Sequence, residues 1–149
     1  METAARRRGA TLTDLIATLG IAGILLGMAV PRLSAARDGR AAAAARDAAA
    51  ALIARARTLA VAQGTAAVII DPAIAVVTVE APAGSPAGDP LRLGDAFGVT
   101  LSVDQSAASV RLDFDALGTG RLVNRTIRFR RGQAEARLSL SSYGRPRRW

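Results

Sequence analysis

Asp113 and Asp115 alternate onto one face at the end of the stretch SVRLDF. Two carboxylates so placed could share acid–base work or hold a cation, or they could simply be solvated partners of nearby arginines. The Gly118-Thr119-Gly120 turn that follows is too short for a phosphate loop. Nothing else in the 149 residues offers familiar catalytic chemistry. The chain has neither Cys nor His, and all 20 basic residues are Arg. That excludes a thiolate or imidazole nucleophile, disulfides, the usual zinc and haem sites, a Schiff-base lysine and a Walker-type lysine. No enzymatic activity, cofactor or metal is expected.

The arginines are the second chemical feature, through their position. Residues 1–9 carry a net +2 (Arg6, Arg7 and Arg8 against Glu2), and residues 10–120 carry −2, from 8 Arg against 10 Asp and Glu. Residues 121–149 carry +8, from 9 Arg against Glu135 alone. Such a one-sign cluster is either a surface for an anion or a solvated edge. Tyr143 and Trp149, two of only five aromatic residues, lie within it.

The elements that must position these groups are of two kinds. Residues 10–30, ATLTDLIATLGIAGILLGMAV, contain one charge, Asp14. As a helix they would span about 32 Å, the thickness of a bilayer core. Arg6, Arg7 and Arg8 would hold that end in the cytoplasm and send the rest across. Residues 32–62 are Ala-rich with interspersed Arg and Asp and predict an amphipathic helix, with Leu33, Leu52, Ile53, Leu59 and Val61 on its apolar side. Pro31 predicts a kink between the two halves, and Gly64 is the expected C-terminal stop.

After residue 65 the hydrophobic period changes to two, and strands are expected over 66–71, 74–80, 97–103, 109–114, 125–130 and 134–141. The Pro- and Gly-rich stretch 81–96 reads as a surface loop. The expected class is α+β: a long helix packed on a mostly antiparallel sheet. The last two strands can be set in register. Gly132-Gln133 suits a type II′ turn, so Arg131 faces Ala134, Arg130 faces Glu135, Phe129 faces Ala136, Arg128 faces Arg137 and Ile127 faces Leu138. The like-charged pair Arg128 and Arg137 either takes an anion between its guanidinium groups or splays them into water.

Arg8-Gly9 followed by ATLTDLIATLGIAGILLGMAVP resembles the class III signal of type IV pilins and pseudopilins. The resemblance implies a pilin-like fold, cleavage by a prepilin peptidase between Gly9 and Ala10, and methylation of the new N-terminus. Asp14 would stand at the fifth mature position, where the family has Glu, and Ala10 stands where the family usually has Phe. Pro31 falls where pilins bend their helix. Asp14 would then draw subunits together through a neighbour's α-amino group, relieving a costly carboxylate in lipid. The plainer role for Asp14 is to cap the helix start after Thr11 or Thr13. Gly20, Gly23 and Gly27 lie near one side of this helix, where they would permit close approach of another helix.

The segment FDALGTGRLVNRTIRFRRGQAEARLSLSSYGRPRR looks like the GspH/FimT group, with its final hairpin and its closing Ser-x-x-Gly-Arg-x-Arg. Here the close is Ser142-Tyr143-Gly144-Arg145-Pro146-Arg147-Arg148, so the spacing departs by one residue while Gly144-Arg145-Pro146-Arg147 matches. The implied organisation is a leader at 1–9, a transmembrane and assembly half-helix at 10–31, an amphipathic half at 32–64 and a periplasmic β domain at 65–149. The implied location is the bacterial inner membrane, single-pass with the N-terminus cytoplasmic, and then a periplasmic fibre.

Two functions follow from the resemblance. One is a minor pseudopilin of a type II secretion system, partnered by other pseudopilin subunits and by secreted protein cargo. The other is a FimT-like minor pilin that binds DNA for uptake through Arg145 and Arg147, with Arg128, Arg137 and Arg148 as further anion contacts. Several arginines together would make such binding salt-sensitive and independent of base sequence, and the two aromatic rings could stack on exposed bases.

Overall fold

The structure is a computed structural model that describes residues 11–104, 108–121, 125–141 and 146–148. A 52-residue helix, α1 (Leu12–Gln63), precedes strands β1 (Ala66–Asp71) and β2 (Val76–Glu80). A short 3₁₀ turn (Pro82–Gly84) leads to β3 (Leu91–Arg92), α2 (Leu93–Phe97), β4 (Thr100–Val103) and β5 (Val110–Phe114). The chain ends with β6 (Arg125–Arg131), β7 (Ala134–Leu140) and β8 (Pro146–Arg148). It divides into two compact units, Met1–Ser34 and Ala35–Trp149.

In the first unit, α1 begins on a capping box. The Thr11 amide and hydroxyl both donate to Asp14 Oδ2, at 3.1 and 2.9 Å, and the Asp14 amide donates back to Thr11 Oγ1 at 3.3 Å. The helix runs unbroken through Pro31. Its apolar part is long and hydrophobic enough to cross a membrane, with a mean hydropathy of 1.9 over 18 residues, none of which is buried. Every large apolar side chain from Leu12 to Leu33 is more than half exposed.

In the second unit, α1 turns Ala42, Ala45, Ala49, Ile53, Ala56 and Ala60 into the core. The spacing of three and four residues keeps them on one face. Of the apolar side expected from hydropathy, Ile53 is fully buried and Leu52 and Leu59 are half-buried against the core, whereas Leu33 and Val61 are exposed. The helix stops at Gln63, and Gly64 takes the positive φ of +90° that a C-terminal stop requires.

The strands form two antiparallel four-stranded sheets, ordered β3-β2-β1-β5 and β4-β6-β7-β8. Alternate residues of both supply the core: Val68, Ile70, Val77, Val79, Leu112 and Phe114 from the first, Leu101, Val103, Ile127, Phe129, Leu138 and Leu140 from the second. The β6–β7 register is the expected one at every pair. Of the two turn residues Gly132 alone has positive φ (+54°), as a type II′ turn has it.

Three expectations need correcting. Residues 81–96 are not a bare loop: Leu93, in α2, is fully buried, and Leu91 pairs with Val77. The strand expected over 97–103 begins at Thr100, because Phe97 closes α2 and Gly98 caps it with φ +64°. The strand expected from Ile74 begins at Val76, since Ala75 takes φ +52° and Ile74 points outward.

Candidate assembly helix and basic sheet face

Gly9 and Ala10, the expected processing site, lie outside the described residues, as do Tyr143, Arg145 and Trp149. Asp14 is engaged by Thr11, the capping role weighed above. Nothing outside the helix's own backbone lies within 4 Å of the positions a Cβ would take on Gly20, Gly23 and Gly27, so that side of α1 is open. Pro31 sits inside the helix and its carbonyl accepts from the Ser34 hydroxyl at 2.9 Å.

The second sheet carries the arginines on the face opposite the core. The pairings Ser102↔Arg128↔Arg137 and Thr126↔Ser139↔Arg147 place Arg128, Arg137 and Arg147 on that face in adjacent rows. Arg128 and Arg137 do stand opposite each other, and two carboxylates separate them electrically. Arg128 Nη2 lies 2.9 Å from Asp104 Oδ1, at the end of β4. Glu135 takes Arg137 Nε at 2.6 Å on one oxygen and Arg130 Nη2 at 2.7 Å on the other, with Arg128 Nε 3.8 Å away. These hydrogen bonds, from Arg130 first and Arg137 second, hold the Glu135 carboxyl below its ordinary range.

Beside them Asp104, Thr126, Arg128, Arg137 and Ser139 line a shallow depression of about 460 Å³. Thr126 and Ser139 share a hydroxyl contact of 3.3 Å there. Among the described residues, Arg147 is exposed and has no carboxylate partner. Arg148 reaches back to α1, with Nε 3.7 Å from Asp47 Oδ1.

Asp113 and Asp115 line one depression with Arg121 but are held by separate partners. Asp113 accepts from Arg111 Nε at 2.8 Å, and the same guanidinium reaches Glu80 at 2.6 Å. Asp115 instead builds the loop after β5. Its carboxylate accepts from the Thr119 hydroxyl, then the Thr119 amide (2.9 Å) and the Leu117 amide (3.0 Å), and these bonds hold its pKa below the usual range. Among the described residues no group of acidic side chains could hold a metal ion.

Sequence reasoning missed Asp104 as the counterion of Arg128, because that contact depends on the β4–β6 pairing, which no local pattern encodes. It also missed Asp38 on α1, whose Oδ1 is 3.0 Å from Arg131 Nε while Arg131 Nη1 donates to the Phe97 carbonyl at 2.7 Å.

Neither a family model nor a curated protein sequence matches the chain significantly. Two crystal structures of the type IV minor pilin FimU of Pseudomonas aeruginosa do. One superposes with a TM-score of 0.55 at 22% identity, covering 71% of this chain and 86% of FimU. The other gives 0.53 at 24% identity, over 71% and 90%. With its long N-terminal helix packed on antiparallel sheets, the chain has the pilin-like fold.

Proposed function

We propose that the chain is a membrane-anchored structural subunit of a type IV pilus-like filament, in the minor pseudopilin role of a type II secretion system. The observation that carries the reading is the helical stretch 12–33, whose large apolar side chains are all uncovered and which continues directly into the helix of a pilin-like domain. An uncovered surface of that kind needs lipid before assembly and other helices after it. Gly9 and Ala10 are the processing site, and Asp14 and Pro31 the assembly residues. The internal carboxylate partners of Arg128 and Arg137 favour this role over polyanion capture, since those cations are already engaged.

The test is the mass of the chain recovered from cells with and without prepilin peptidase, together with its presence in the filament fraction. Loss of residues 1–9 only in the presence of the peptidase, and a deletion strain with a depleted secretome, are the expected results. An intact leader in peptidase-positive cells overturns the reading.

One observation favours the DNA-binding alternative: Arg147, exposed and without a carboxylate partner among the described residues, shares a face with Arg128 and Arg137. On this reading the full chain in detergent binds duplex DNA more weakly as salt rises, and Arg145→Ala with Arg147→Ala abolishes binding. Equal binding by that double variant rejects it.

A further inference from the structure

The first charges after the uncharged stretch 15–31 are Arg32, Arg37, Asp38 and Arg40. Asp38 faces the second sheet and holds Arg131 Nε at 3.0 Å, so it does not neutralise the arginines on either side of it. Arg37 and Arg40, three residues apart on α1, lie on its exposed side, away from the buried positions Ala42, Ala45 and Ala49. Among the described residues neither makes an ion pair or a side-chain hydrogen bond. In this they differ from Arg111, Arg128, Arg130, Arg131 and Arg137, each of which has a carboxylate partner.

Their place along the chain is costly for a membrane anchor. A single span keeps its arginines on the side from which it starts. On the anchored reading above, Arg6, Arg7 and Arg8 set that side, and Arg37 and Arg40 stand on the other, six and nine residues beyond Pro31. By helical rise those residues lie about 9 and 14 Å further along α1. The headgroup layer of one leaflet occupies roughly 5–8 Å beyond the hydrocarbon. Side chains of a helix lean toward its N-terminus, so both guanidinium groups are directed back toward that layer, and their long stems extend the reach.

We propose that Arg37 and Arg40 bind the phosphate groups of anionic phospholipid on the side of the bilayer where the folded domain lies. The inference rests on the membrane-anchored reading above and adds to it the class of lipid that the chain gathers. Charge and position together select the occupant. Two cations without a protein partner follow the apolar span by less than three turns of helix, and a guanidinium matches a phosphate with two parallel hydrogen bonds.

The experiment titrates the full-length chain in detergent with phosphatidylglycerol and, separately, with phosphatidylcholine, and counts bound lipid by native mass spectrometry. The expected result is tighter binding of phosphatidylglycerol, by roughly fivefold for each arginine. Arg37→Gln with Arg40→Gln lowers that preference roughly 25-fold, while the melting temperature stays within about 1–2 °C because both sites are exposed. Arg55→Gln with Arg92→Gln removes the same charge from exposed positions far along the chain and keeps the preference. Inorganic phosphate displaces no more lipid than chloride does at equal ionic strength.

Equal affinity for the two lipids overturns the inference, as does an equal loss in the Arg55 and Arg92 pair, which is the effect of net charge alone. Displacement by inorganic phosphate beyond the chloride control assigns the arginines to a free anion and overturns it as well. A double variant of Arg37 and Arg40 that keeps its lipid preference yet is lost from the filament fraction assigns them to an acidic protein partner instead. If sodium carbonate extracts the wild-type chain from cell membranes, the anchored reading itself falls. If the chain resists extraction and shows no preference between the lipids, only this inference falls.

Discussion

Replacing Gly132 by alanine tests how the β6–β7 hairpin is tied to α1. The backbone at Gly132 has φ +54°, a conformation that costs an L-residue about 1–2 kcal/mol. A Cβ built there would lie 2.6 Å from Asp38 Oδ2, well inside contact distance. The Asp38 carboxylate can swing aside, but only by leaving Arg131 Nε, now 3.0 Å away. That pair is about a third exposed, so its loss adds at most about 1 kcal/mol.

The sum is about 1–3 kcal/mol, which for a domain of this size lowers the melting temperature by roughly 3–15 °C. Thermal unfolding of the detergent-solubilised chain followed by circular dichroism reads it. The Asp38→Ala background separates the two parts. There the clash and the bridge are both gone, and Gly132→Ala should cost only the backbone share, leaving a coupling of about 1 kcal/mol between the two positions. An identical penalty in both backgrounds, or a cost below about 0.5 kcal/mol in the wild type, refutes the geometry.

Three further outcomes are expected. Phe129→Ala, at a fully buried site in the centre of the second sheet, should destabilise the domain by about 3–5 kcal/mol in urea unfolding. Glu135 and Asp115 both have folded pKa values below their unfolded ones, so the unfolded chain binds more protons. Their stabilisation is complete above the ordinary carboxylate range and is lost as pH falls through the depressed values. An acid titration of stability should therefore fall less steeply for Glu135→Gln than for the wild type. Asp115→Ala should speed hydrogen exchange at the Leu117 and Thr119 amides and leave the Phe129 amide protected, because the carboxylate holds those two N–H groups and no strand depends on it.

What the sequence disclosed depended on how local the cause was. A two-residue turn fixes a register, so all seven β6–β7 pairs follow from Gly132-Gln133 and the alternation of Ile127, Phe129, Ala136 and Leu138. The end of α1 follows from Gly64 for the same reason. The buried face of α1 was read only in part because a hydropathy scale weights Leu above Ala: Ile53 lies in the core with Leu52 and Leu59 against it, but alanines carry most of that face. The single expected sheet became two because β1 pairs with β5, some forty residues away, and β4 pairs with β6. Pairing across such distances leaves no local mark. β8 was missed because Pro-Arg-Arg has no apolar alternation, yet it extends the sheet beside β7. Leu93 shows that a Pro- and Gly-rich stretch can still deliver one fully buried side chain.

The charge count of the last 29 residues overstates what the basic face offers to a partner. Four arginines, Arg128, Arg130, Arg137 and Arg147, share that face with Glu135 and Asp104. Three of the four are held by those two carboxylates at contacts of 2.9 Å or less. A phosphate approaching Arg128 or Arg137 meets a guanidinium whose charge a carboxylate already partly offsets, so it gains less there than at an arginine without such a partner. Arg147 has no such partner among the described residues. Any polyanion affinity of this face therefore concentrates at its β8 edge, while the Glu135 cluster acts to keep like charges on adjacent strands from forcing β6 and β7 apart. The excess positive charge and the uncharged stretch are separated along the chain: nine of the 20 arginines lie in residues 121–149, and residues 15–31 of α1 carry no charge.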